Sequence, residues 1–189
     1  MVSTGAATRR KDPARRERIA RAAIDVVAER GIEKLTHRAV AAAAGVPLGS
    51  TTYYFRTLDD LLAEALRQSA QDDVAELRAW ANSLSGEDDL AAALGDLILR
   101  YLGPQRSRTV VQHELYMAAL HRPALAHVSN EWDAELVELF TCYTDSVTGR
   151  ALSALFCGLL LQGVVRESVP SRDEIETTFR RVLAPATNR

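Results

Sequence analysis

Apolar residues recur at helical spacing along almost the whole chain. Ile19, Ala23, Val26 and Val27 form one stripe, and Leu61, Leu62, Ala65, Leu66, Val74 and Leu77 form another. Neither shows the strict alternation of a half-buried strand. Punctuation residues cut this pattern into elements. Pro13, with Asp12 behind it as N-cap, starts a helix that runs to about Arg30 and stops at Gly31. Thr36 caps a second helix, with Leu35 and Val40 at the spacing of a hydrophobic staple, and Gly45 ends it. A short third helix is expected from near Pro47 to about Phe55. A fourth opens at Leu58-Asp59-Asp60 and reaches about Leu84, where Ser85-Gly86-Glu87-Asp88 breaks the pattern. The fifth ends at Leu102, before Gly103-Pro104. Three more are expected at about 106–120, 124–144 and 150–167, separated by Arg122-Pro123 and by Thr148-Gly149. Ser171, with Glu174 at N3 in a capping-box pattern, starts a last helix that ends near Leu183. The pattern predicts an all-α fold of about nine helices with no convincing strand.

Composition supports this reading and narrows the function. Apolar residues make up 47% of the 189, enough for a sizeable core, and Ala and Leu outweigh β-branched runs. Net charge is only −2, but its distribution is uneven. Residues 1–58 carry 11 Lys or Arg against 5 Asp or Glu, whereas residues 59–189 carry 12 against 20. A basic N-terminal end ahead of an acidic body suits a protein that meets a polyanion at one end. Cys142 and Cys157 stand without a CxxC or Cys/His cluster and read as two buried, reduced thiols in a cytoplasmic protein. The longest apolar patch, Ala154 to Val165, is interrupted by Gly158, Gln162 and Gly163, so no membrane partner is expected. The basic N-terminus lacks the apolar stretch of a signal peptide. His113 and Glu114 are adjacent and diverge around a helix; His121 and His127 lack carboxylate or Cys company. Neither a metal site nor another cofactor is expected. No nucleophile with a base and no paired acid and base is evident, so no catalytic residues and no enzyme activity are expected.

Residues 36–55 have the plan of a helix-turn-helix. Thr36 to Ala44 makes a supporting helix, Gly45 the pivot, and Leu48-Gly49-Ser50-Thr51-Thr52-Tyr53-Tyr54-Phe55 a short polar helix suited to a DNA groove. The stretch Leu35-Thr36-His37-Arg38-Ala39-Val40-Ala41, then Ala44-Gly45-Val46-Pro47-Leu48-Gly49-Ser50-Thr51-Thr52-Tyr53-Tyr54-Phe55, then Leu61-Leu62, resembles the TetR family of bacterial repressors. The resemblance implies that Arg38 reaches a base or phosphate. It implies that Leu48, Gly49, Ser50, Thr52 and Tyr53 form the exposed face of the recognition helix, and that Thr36, Ser50 and Tyr54 contact phosphate, with His37 adding a hydrogen bond. Two positions depart from the pattern. Thr52 stands where many members have Tyr, and Leu58 where many have a phosphate-holding Lys. Arg56 is a nearby candidate substitute. Arg9, Arg10, Lys11, Arg15 and Arg16 are candidates for phosphate or minor-groove contacts.

The same resemblance divides the chain into a flexible basic arm (1–12), a DNA-binding domain (13–58) and an effector-binding and dimerisation domain (59–189). The helix expected at 150–167 is apolar nearly all round and must be buried on most faces. With the last helix it suits a four-helix interface in a homodimer, which would read a pseudo-palindromic operator in double-stranded DNA. The effector pocket implied among the middle helices has Trp80, Tyr101, His113, Tyr116, Met117, Trp132, Leu136, Phe140, Phe156 and Gln162 as candidates by helical phase. A repressor released by a small-molecule effector is the leading expectation. The alternative is a DNA-binding regulator controlled by a partner protein or by abundance.

Overall fold

The computed structural model describes residues 12–85 and 89–184. Arg9, Arg10, Lys11 and most of the expected basic arm lie outside them, as do Gly86, Glu87 and Asp88 of the expected break. The described residues form α1 (Pro13–Arg30), α2 (His37–Ala44), α3 (Leu48–Tyr54), α4 (Leu58–Ser83), α5 (Leu90–Leu102), α6 (Arg106–Ala118), α7 (Pro123–Thr141), α8 (Ser146–Val165) and α9 (Arg172–Leu183). A single 3-10 turn, Ile32–Lys34, joins α1 to α2, and none of the described residues is in a strand.

Most helix starts carry a side-chain cap. Asp12 accepts from the Ala14 N–H at α1, Thr36 from the Ala39 N–H at α2, and Ser171 and Glu174 close the expected capping box at α9. Three caps did not stand out in the sequence. Thr57 and Asp60 form a second capping box at α4, Asp89 caps α5, and Asp145 caps α8.

Asp145 also corrects the expected boundary between the seventh and eighth helices. α7 stops at Thr141, and the Asp145 carboxylate accepts from the Val147 and Thr148 N–H groups at 2.8 and 3.2 Å. Thr148 and Gly149 are therefore in the first turn of α8, not in a break. Gly149 is needed for packing instead. A Cβ there would come within 2.9 Å of the Thr141 backbone nitrogen.

Two apolar cores share the long α4. One gathers Ile19, Val26, Val27, Val40 and Phe55 with Leu61, Leu62 and Leu66 from the first half of α4, and draws in Val111 and Leu115 of α6 and Leu125 and Val128 of α7. The other gathers Val74, Leu77 and Ala81 from the second half of α4 with Leu94, Ile98 and Tyr101 of α5, Leu136 and Phe140 of α7, Leu152 and Phe156 of α8, and Phe179 of α9. The helices that support α3 are thus seated on the larger bundle through buried side chains of α4, α6 and α7.

Within one chain α8 buries one side and leaves an apolar face to solvent; the burial on most faces expected of it includes the side set against a second copy. Leu152, Phe156 and Leu160 are buried, but Val147, Leu161 and Val165 are 66%, 37% and 77% exposed. The helix is also long and apolar enough by itself to cross a membrane, with 20 residues and mean hydropathy 1.4. Length and composition say no more than that for a helix packed on α5, α6, α7 and α9.

Candidate nucleic-acid interface

The turn between α2 and α3 is built from backbone hydrogen bonds. Gly45 takes a left-handed conformation (φ 63°, ψ 38°); its N–H donates to Ala42, and the Val46 N–H donates back to Ala41. This is a Schellman ending, which strongly favours glycine at the left-handed position. It turns the chain sharply enough for Pro47 to start α3 at once. α3 is anchored by its inner face. Thr51 is fully buried with its hydroxyl donating to the Leu48 carbonyl at 2.8 Å, and Phe55 is 1% exposed.

The outer face is what remains. Leu48 and Tyr53 are 44% and 52% exposed, Gly49 and Thr52 are exposed, and Ser50 is half-buried. The Thr52 hydroxyl donates to the Gly49 carbonyl at 3.3 Å. Tyr53 and Tyr54 meet edge to face, with centroids 5.2 Å apart. Arg38 is exposed on α2, next to the half-buried His37. The Thr36 hydroxyl oxygen is engaged in capping. The Tyr54 hydroxyl accepts the Asp12 N–H at 3.0 Å, which ties the end of α3 to the start of α1. Leu58 is half-buried against the first core, so it offers no charge here, and Arg56 is exposed.

The arginines of α1 differ in their commitments. Arg16 pairs with Glu64 at 2.5 Å and lies over the Phe55 ring, 5.0 Å from its centroid. Arg21 pairs with Asp72. Arg15 has no ion pair among the described residues, and its Nε is buried without a hydrogen-bond partner.

Inside the larger bundle, aromatic rings and carboxylates alternate. Asp73, 1% exposed, accepts from the Tyr101 hydroxyl and from the Gln112 amide, both at 2.9 Å. Its cationic neighbour, Arg108, stands 3.9 Å away. Burial pushes the Asp73 carboxyl above the usual carboxylate range, against the opposite pull of those hydrogen bonds. The Tyr116 hydroxyl donates to Asp133 at 2.8 Å, and burial with that carboxylate raises it to about 12. Burial, then the charges of Asp133 and Asp73, push the Cys157 thiol up to about 12; Cys142, expected to be buried as well, is exposed because it lies just past the end of α7. Trp132 meets Tyr116 edge to face at 5.3 Å; its indole N–H and the Ser129 hydroxyl are buried without partners.

Of the ten residues expected in a pocket, Tyr101, Leu136, Phe140 and Phe156 fill the bundle centre, each at most 2% exposed. Trp132 and His113 are buried beside them, and the His113 Nδ1 donates to the Thr109 carbonyl at 2.8 Å. Trp80 and Tyr116 are half-buried against the same core. Met117 is 41% exposed and Gln162 is exposed, so neither joins the interior. The helical phase of α6 and α8 placed them one step too far round. Asp73, Gln112 and Asp133, not among those ten candidates, make hydrogen bonds with the aromatic side chains there or with one another. Asp73 lies on the buried stripe of α4 with Ala70, Val74 and Leu77, and that phase was its readable signal.

Residues 19–65 match the family model described as bacterial regulatory proteins of the tetR family, and residues 85–185 match a tetracyclin repressor-like C-terminal domain. The crystal structure of the multidrug binding protein EbrR complexed with imidazole is 43% identical, with TM-score 0.83, covering 93% of this chain and 99% of that one. The regulator BetI of Stenotrophomonas maltophilia (strain R551-3) is 28% identical over 165 residues, 80% of this chain and 82% of its own. The regulator PksA of Bacillus subtilis (strain 168) is 45% identical over 53 residues, and the match spans only 28% of this chain and 26% of that protein.

Proposed function

The chain belongs to the TetR family of DNA-binding transcriptional regulators, and on that premise we propose that it is a homodimeric repressor released from a pseudo-palindromic operator by an aromatic cation. The observation that carries the effector class is the interior of the bundle. Asp73 is buried with no cation in hydrogen-bond contact, Asp133 holds the Tyr116 hydroxyl and acts with Asp73 on the Cys157 thiol, and Tyr101, Tyr116 and Trp132 belong to or pack on the same apolar cluster. Carboxylates among aromatic faces attract a flat cation through charge and through the ring quadrupoles. The orphaned Trp132 N–H and Ser129 hydroxyl offer further hydrogen bonds to such a guest. EbrR, 41–43% identical, has been crystallised with ethidium, proflavin and malachite green, which supports the same class here.

Dimerisation is supported by the exposed Val147, Leu161 and Val165 of α8, an apolar face left over in one chain. A two-fold pair would present two copies of α3 for successive turns of DNA. Arg38, His37, Thr36 and the outer face of α3 (Leu48, Gly49, Ser50, Thr52, Tyr53, with Tyr54 at its end) then form the reading surface.

One observation favours control by a partner or by abundance. Side chains bordering a water-sized void retain accessible surface, yet Tyr101, Leu136, Phe140 and Phe156 retain almost none. An effector must therefore open the bundle, which lowers its apparent affinity by the fraction of open molecules. Proflavin titration distinguishes the two readings. Fluorescence polarisation of the dye should show saturable binding that Asp73→Asn and Asp133→Asn each weaken about tenfold or more, and proflavin should weaken binding to a selected duplex. Saturable binding of no dye, with duplex affinity unchanged, would favour control by a partner or abundance.

A further inference from the structure

We infer that the cleft between the start of α1 and α3 is a seat for one DNA backbone phosphate, with the Arg15 guanidinium as its cation. This rests on the DNA-binding reading and adds to it a contact from outside the helix-turn-helix. The cleft, about 600 Å3, is lined by Asp12, Arg15, Pro47, Gly49, Ser50, Tyr53 and Tyr54. It opens beside the exposed face of α3, so its occupant lies alongside whatever that face reads.

Arg15 is singled out by what its neighbours do. Arg16 and Arg21 are held by carboxylates, Glu64 and Asp72, and Arg16 also covers a core ring. Arg15 has no such partner among the described residues, and its Nε–H is shut away from water with nothing to donate to. A buried donor on a charged group left unsatisfied is costly. Because Arg15 lines the cleft, the other nitrogens of its guanidinium are the ones that can give a phosphate oxygen charge-assisted hydrogen bonds. Two further donors line the same cleft. The Ser50 hydroxyl has no hydrogen bond among the described residues. The Tyr54 oxygen accepts the Asp12 N–H, which leaves its own hydrogen to donate outward. That bond also fixes the first turn of α1, and so Arg15, against α3. The one opposing charge is Asp12, whose carboxylate is turned to the Ala14 N–H as a helix cap at 3.1 Å. A DNA phosphate suits the seat because residues 1–58 carry the chain's excess of positive charge, and because α3 presents Tyr53 and Gly49 at its rim.

Salt dependence tests the assignment. The full chain is titrated onto a random-sequence duplex from low to moderate salt. Each phosphate neutralised contributes about 0.9 to the slope of log K against log salt. Arg15→Gln should lower that slope by about 0.9 per chain bound, and Arg15→Lys should largely keep it while weakening affinity. Arg78→Gln is the charge-matched control, on α4 and paired with Glu135, and should leave the slope unchanged. Thermal melts establish that the variants are folded. An unchanged slope in Arg15→Gln, or an equal fall in Arg15→Gln and Arg78→Gln, would overturn the phosphate seat while leaving DNA binding intact. No salt-dependent binding by the unsubstituted chain would overturn the regulator reading itself, and this seat with it.

Discussion

Asp73 is a carboxylate in the wrong solvent. Burial raises it above its value in the unfolded chain, so the native state keeps its proton over a pH range where the unfolded chain has lost it. Stability owed to this group is therefore greatest in acid and falls as pH rises through that window. Asp60, Asp89, Asp96, Asp145 and Glu174 are shifted the other way, and their stabilisation is lost as pH falls. Comparing Asp73→Asn with the unsubstituted chain cancels those groups. The melting temperature of the variant, relative to the parent, should rise as pH is raised through and above the ordinary carboxylate range. A difference that is flat with pH would mean that the Asp73 carboxyl titrates normally. At this scale the sequence was readable only where the cause is local. Thr36 as a cap and Gly45 as a pivot depend on residues a few positions away. Asp73 could be placed on a buried stripe, but its partners Tyr101 and Gln112 are 28 and 39 residues distant and no periodicity announces them. Nor does the sequence distinguish Arg15 from Arg16. Only the approach of Glu64 and Phe55 from α4 and the end of α3 separates a structural arginine from a free one.

Helices were legible where a proline, a cap or a left-handed glycine closes them, which is why α1, α2 and α9 emerge with nearly their observed limits. The α7–α8 junction shows the failure. Glycine was read as a break because it weakens helices by about 1 kcal/mol relative to alanine, but Gly149 is there because α7 passes too close for any side chain. A Cβ at 149 would collide with the Thr141 Oγ1 and sit 2.9 Å from its backbone nitrogen and 3.0 Å from its Cα. The hydroxyl is held by the Val137 carbonyl at 2.7 Å, and the backbone atoms belong to the last turn of α7. Gly149→Ala should therefore destabilise the fold by about 1–3 kcal/mol despite its gain in helix propensity. Gly158, in the same helix, has nothing within 4 Å in the single chain. Gly158→Ala should leave the fold intact or stabilise it by up to about 1 kcal/mol. Urea titrations of both variants read these effects directly, and equal midpoints would show that α7 and α8 can part without cost.

At the scale of the whole molecule, DNA reading and effector binding must communicate through something that touches both cores. α6 does so on two of its faces. Gln112 donates to Asp73 in the bundle interior, and two residues later the Glu114 carboxylate accepts the Ile32 N–H, 3.1 Å away, in the turn that leads into α2. Just beyond α6, Arg122 pairs with Asp59 at the start of α4. On the proposed reading, a cation drawn to Asp73 would compete with Gln112 for that carboxylate, so the pull on α6 would differ between free and bound states. Such differential contact is what a ligand needs in order to shift an equilibrium. A hydrogen bond to a charged group is worth about 1.5–3 kcal/mol, comparable to the whole of a typical coupling free energy of about 1–3 kcal/mol. Glu114→Ala should accordingly leave proflavin binding to the free protein nearly unchanged, while cutting the loss of duplex affinity that proflavin causes by about three- to tenfold. The coupling is obtained by measuring duplex affinity with and without saturating dye. Reciprocity requires the dye's affinity with and without duplex to change by the same factor. If Glu114→Ala leaves that factor unaltered, the signal does not pass from α6 to the turn before α2. The Arg122–Asp59 pair at the head of α4 and the Arg21–Asp72 pair between α1 and α4 would then be the next polar links to sever.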